Sequence, residues 1–180
     1  MVLMGFTAIF CLGILILWFI YTFNYFRGKQ ALIDFWWDEV DMHLKIRHKL
    51  IPNLIATTHS RMAAAAPILD KIASIDSRIL GKSIDSNEEV ERLENDLSSE
   101  MHTLQKVFKE HREAQMNEAL LTVMSELVSV EGRASSACFE HNRLVNDFNS
   151  SITRFPARIV LDVLHFHPRE KRVFGVINDT

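Results

Sequence analysis

Between Val2 and Phe26 the chain reads VLMGFTAIFCLGILILWFIYTFNYF, with no charged residue anywhere in the run. As an α-helix it spans roughly 37 Å, more than the ~30 Å hydrocarbon core of a bilayer. A stretch of that length and character predicts a membrane-spanning helix. Trp18, Tyr21 and Tyr25 gather toward its C-terminal end, where amphipathic rings suit the headgroup level. A cleaved signal peptide would need a basic segment ahead of a shorter apolar core and small residues at the cut. Here nothing basic precedes the run, and it closes on bulky aromatics, so the expectation is a retained single-span anchor over residues 1–27.

The flanks set the expected orientation. Val2 and Phe26 bound the span, Arg27 and Lys29 follow it at once, and Lys45, Arg47 and Lys49 come further on. The positive-inside tendency then puts everything after the span in the cytoplasm and the short N-terminal tail outside. Asp34, Asp38 and Asp41 dilute the charge, but acidic residues count little in this rule. Cys11 lies in the span and Cys138 beyond it, so there is no disulfide framework, which fits a reducing compartment.

From Ala31 to about Phe155 the helix breakers are few: Pro52, Pro67, Gly81 and an isolated Gly132. No hairpin signal or alternating β-branched run occurs. The fold class expected is all-α, a transmembrane helix followed by an antiparallel bundle of three or four long helices over residues 28–156. A basic and apolar tail then covers residues 157–180.

Within the bundle the apolar positions recur every three or four residues. Trp37, Val40, Leu44, Arg47, Ile51, Leu54 and Thr58 make one stripe, with Asp41 and Lys45 paired off it on a solvated face. Pro52 removes a backbone N–H and crowds the carbonyl of His48, which predicts a kink. Pro67 marks a second bend or a new helical start, and Ile68, Leu69, Ile72, Ile75, Ile79 and Leu80 follow as apolar positions up to Gly81. Ser86 or Asn87 can cap the next helix, whose stripe is Val90, Leu93, Leu97, Met101, Leu104 and Phe108. Its acidic opening reads as a solvated face.

The last helix carries the most regular seam, from Leu120, Met124 and Leu127 through Ala134, Cys138, Val145 and Phe148 to Ile152 and Phe155, closed by Pro156. Glu131 and His141 fall on that seam, as Arg47 does on the first. A buried carboxylate is costly unless paired and hydrogen-bonded. Glu131 is therefore expected to meet a cation from a facing helix, with Arg47 the first candidate and Arg61 or His59 the next. Such a pair reads as structural, not catalytic.

Functional motifs are sparse. HEXXH, CxxC, Walker, dinucleotide and GxSxG patterns are all absent, and HFH at 165–167 is a weak metal signal. No catalytic residue, cofactor, metal or nucleic-acid partner is expected. The tail is apolar at Ile159, Val160, Val163, Leu164 and Phe166 and basic at Arg158, Arg169, Lys171 and Arg172. It is expected to fold back on the bundle, with contact along the cytoplasmic leaflet as the alternative.

Two stretches resemble the LemA family of bacterial membrane proteins. In DEVDMHLKIRHKLIPNLIATT, Leu44, Lys45, Arg47, Leu50, Ile51, Pro52, Asn53 and Leu54 are similar to the family's Leu-Lys-x-Arg and Leu-Ile-Pro-Asn-Leu segment. In ELVSVEGRASSACFEHNRLVNDFNSSITRFP, Glu131, Arg133, Asn142, Val145, Asn149, Phe155 and Pro156 fall on a helix ending in the family's Phe-Pro. The chain departs from the family where many members carry a Tyr-Pro turn and this one reads EHREAQMNEAL. The resemblance implies an α-helical bundle on a membrane anchor, in a family not known for enzymes. Related proteins of magnetosome-forming bacteria are associated with membrane remodelling. The functional expectation is a non-enzymatic membrane protein whose helical bundle scaffolds a protein partner. The alternatives are a protein that contacts or remodels lipid through its basic tail, and a small-ligand or metal sensor built on Glu131, His141 and Arg47.

Overall fold

Helix α1, Val2–His59, runs unbroken from the apolar stretch through Arg27, Gly28 and Lys29 and on past Pro52. A computed structural model describes residues 2–59, 62–80, 82, 88–154, 158, 164 and 166–172. Among them there is no strand, so the protein is all-α. A 3-10 turn, Ala63–Ala65, leads into α2, Ala66–Ile79; then come α3, Glu88–Glu110, the single turn α4, Arg112–Gln115, and α5, Glu118–Ile152. The capping positions Gly81, Ser86 and Asn87, together with Arg61, Phe155, Pro156 and most of the tail, lie outside the described residues.

Local chemistry accounts for the helix starts. Pro67 sits in the first turn of α2, where its missing N–H would have had no partner in any case, so it opens a helix. Glu88, Glu89 and Glu91 crowd the first turn of α3, favourably placed at the positive end of the helix dipole. Asn117 caps α5, its Oδ1 accepting from the Leu120 N–H at 3.0 Å.

The chain divides into two units. The first comprises Met1–Trp36 and Glu140–Lys171. Its core is Phe26, Ile33, Val145, Phe148 and Ile152, with Leu144 and Phe166 packed against it. Phe148 lies 5.9 Å from Phe26 and 6.5 Å from Phe166, ring centre to ring centre. Each fully buried side chain of this size contributes about 1.5–3 kcal/mol relative to an exposed one. The uncharged run therefore ends inside this unit: Thr22 and Phe26 are buried. Lys29, just past it, lies over the Tyr25 ring at 5.0 Å. Further toward the N-terminus the helix is bare. Phe6, Ile9, Phe10 and Leu17 are each more than two-thirds exposed. The most apolar 18-residue window has a mean hydropathy of 2.3 with 6% of it covered by protein, long and apolar enough to cross a membrane.

Described tail residues also pack in this unit. Asn149 clasps the backbone of Arg169, its Nδ2 donating to the carbonyl at 2.8 Å and its Oδ1 accepting from the N–H at 2.9 Å. The Arg169 guanidinium reaches Asp34 at 3.0 Å.

The second unit comprises Trp37–Phe139 and Arg172–Thr180. Its core follows the stripes expected from sequence: Val40, Leu44, Ile51 and Leu54 of α1, Leu69, Ile72 and Ile79 of α2, the full α3 stripe, and Leu120, Met124, Leu127 and Ala134 of α5 are buried. Leu80 departs from that pattern. It follows the last turn of α2, at its C-cap, and is 64% exposed. Helices α2 and α3 run antiparallel, as the Lys71–Glu100 and Arg78–Glu89 ion pairs show by their crossed numbering.

Candidate functional site

The second unit's core is crossed by a line of polar side chains. Arg47 is 1% exposed, among the most buried large side chains of the protein, although no side chain is costlier to desolvate than a charged one. Heptad position forces it inward: Leu44 and Ile51 flank it on the same face of α1. Its charge is met from two other helices. Nη1 donates to both carboxylate oxygens of Glu131 on α5, at 3.1 and 2.9 Å, and to Ser98 Oγ on α3 at 2.7 Å. Nη2 donates to the carboxylate of Glu94 on α3.

Glu94 carries the line onward. Its other oxygen, Oε1, lies 2.9 Å from His48 Nε2, and His48 Nδ1 lies 2.5 Å from Asp76 Oδ1 on α2. Ser98 and Glu131 therefore connect through Arg47, Glu94 and His48 to Asp76, and each of the four long helical segments of this unit supplies a member. Two cationic side chains face three carboxylates. Both imidazole nitrogens have carboxylate partners, which suits the doubly protonated ring.

The titration behaviour follows from this packing. Burial acts against a charge on His48, but the hydrogen bond and charge of Glu94 and the hydrogen bond of Asp76 outweigh it, so its pKa is raised despite nearby Arg47. Burial would raise Glu94, but the hydrogen bond from His48 and the charge of Arg47 overcome it, and its pKa is lowered. The two groups hold each other ionised.

Most of the other sequence-derived positions lie elsewhere. His141 belongs to the first unit, its Nδ1 3.3 Å from Asn142 Oδ1. His59, Pro52, Asn53 and Arg133 are exposed, and Leu50 is half-buried. Thr57 Oγ1 donates to the Asn53 carbonyl at 2.7 Å. Lys45 pairs with Asp41 at 2.5 Å. Glu94 corrects the reading of the acidic α3 opening as wholly solvated: Glu88 and Glu89 are exposed, whereas Glu94 is buried. Sequence reasoning also passed over Ser98, His48 and Asp76. The signal was present: Glu94 and Ser98 follow Leu93 and Leu97 by one residue, inside the wider face that a packed helix buries.

Chemically, the arrangement is closed. Every carboxylate in it is within hydrogen-bond distance of Arg47 or His48, and the guanidinium is engaged by three residues. Such a network fixes which helix faces meet, as buried polar groups do when they set register.

Residues 36–179 match the family model described as the LemA family. No curated protein matches the chain.

Proposed function

The chain belongs to the LemA family, a membrane-associated helical protein, and from that premise we propose that it is a non-enzymatic, single-span scaffold whose helical bundle, in the cytoplasm, binds another protein. One observation carries the reading. The side chains with chemical potential, Arg47, Glu94, Glu131, His48 and Asp76, are spent on one another across four helical segments, while apolar side chains stand uncovered on the outside of the same unit. Leu121, Val128 and Phe139 of α5 are 48%, 48% and 67% exposed. Together with Ser125, Gly132 and Ser135 they follow a second four-three line beside the buried seam, the pattern a partner helix packs against.

Support for the lipid-contacting alternative is weaker. Within the first unit Arg169 is paired with Asp34; within the second, Arg172 lies near Glu91 at 3.7 Å and stacks 5.0 Å over the Trp37 ring. Those cations already have protein partners.

The test is crosslinking with mass spectrometry in native membranes. A recurring protein partner linked around residues 121–139, and lost in Phe139→Ser, is expected. Links to lipid alone, with no protein at that face, would refute the reading.

A further inference from the structure

A cavity of about 590 Å³ opens in the second unit between α1, α2 and α3. Leu44, Ile79, Leu80 and Val90 form its walls, and His48 and Glu94 its polar floor. Lys45, Lys49 and Lys82 stand around it with Asp41. The volume is that of a small-molecule pocket, and its mix of apolar wall with a few polar groups has the same character.

We propose that this cavity binds a single-chain amphiphilic anion, a carboxylate or phosphate head on a short alkyl tail. The tail would lie along Leu80, the exposed apolar side chain of the lining, and the head would meet the lysines. Charge decides the sign of the head. The floor carboxylate of Glu94 is already met by Arg47 and His48, and Asp41 by Lys45. Lys82 reaches only as far as Glu89, at 3.5 Å. Lys49, exposed at the rim, has no hydrogen bond or ion pair among the described residues. A cation would face three ammonium groups there, whereas an anion adds partners at no loss of existing ones. Leu80 supplies the second argument. It leaves the α2 stripe and is largely uncovered at the cavity wall, where an alkyl chain would remove it from water. Each methylene buried against such a wall contributes about fourfold in affinity.

Lysine acetylation of the full-length protein in phosphatidylcholine nanodiscs, read by mass spectrometry, tests this. Hexanoate and hexyl phosphate are the probes, and hexyltrimethylammonium is the control with the same tail. Lys71, Lys106 and Lys109, exposed elsewhere in the unit, calibrate the reagent. Saturable slowing of Lys49 and Lys82 by at least threefold is expected with an anionic probe, with the reference lysines unchanged. The head that saturates at the lower concentration distinguishes carboxylate from phosphate. Leu80→Asp, an exposed position that leaves the core intact, is expected to raise the half-saturating concentration at least tenfold with helicity unchanged. Uniform slowing of all lysines, no slowing by either anion, equal slowing by the cationic control, or protection indifferent to Leu80→Asp each overturns the proposal.

Discussion

Arg47 and Glu131, 84 residues apart in the chain, meet with Nη1 2.9 Å from Oε2 in a place almost closed to water. Removing one partner of such a pair leaves a charge buried without compensation, which costs about 3–5 kcal/mol. Glu131→Ala is expected at the lower end, about 3 kcal/mol, because Arg47 keeps Glu94 and Ser98. Denaturant unfolding of Arg47→Leu, Glu131→Leu and the double variant should give a coupling of about 1–3 kcal/mol. Additive losses would mean that the two side chains do not act as a pair.

The fold was largely legible because helical periodicity is a repeated signal. The α5 seam repeats over five heptads, and its positions from Leu120 to Ile152 are all buried, Glu131 and His141 included. Arg47 and Glu131 were legible as inward charges for the same reason. Glu94 and Ser98 were not, because a narrow stripe through Leu93 and Leu97 leaves out the residue beside each. Asp76 lies four residues after Ile72 and three before Ile79, yet reads as an ordinary polar residue until His48 is seen against it. Phe166 was legible as an apolar position of a tail expected to fold back, but its partner Phe148 was not, because local periodicity carries no information on which distant segments meet.

Stability should depend on pH through His48 and Glu94. The folded pKa of His48 lies above its ordinary 6.5, so its contribution is full below about 6.5 and is lost as pH rises through the raised value. Glu94 lies below its ordinary 4.5, so its contribution is present above about 4.5 and is lost as pH falls through the lowered value. Together they predict the network's greatest contribution between those limits. Thermal unfolding across pH should show an alkaline decline in the parent protein that flattens in His48→Asn. An unchanged alkaline slope in that variant would assign the decline to other groups.

Gly132 sits inside α5 on its exposed side, and a Cβ added there meets nothing within 4 Å. Its backbone freedom is then a cost without a packing return. Gly132→Ala is expected to stabilise the protein by about 1 kcal/mol, measured as a rise in the denaturant midpoint with an unchanged slope. A loss of stability would show that the added methyl is not accommodated on this face. The proposed partner face includes this position, so weakened crosslinking at residues 121–139 in membranes would show that the partner packs against the glycine itself.

Asn149 holds the tail by two hydrogen bonds to one residue, donating to the Arg169 carbonyl and accepting from its N–H. The exchange needs a donor and an acceptor side by side, which a side-chain amide presents. Asn149→Ala removes both bonds and leaves two backbone groups to find water, a loss of about 1–3 kcal/mol confined to the tail's attachment. The first unit's aromatic core, Phe26 and Phe148, is untouched by the change. Limited trypsin digestion is therefore expected to cut after Arg169 and Lys171 severalfold faster in the variant, while the unfolding midpoint moves little. Asn149→Asp keeps the acceptor but loses the donor, so it should fall between the two. Equal cutting rates in all three proteins would show that Phe166 and the Arg169–Asp34 ion pair suffice to hold the tail.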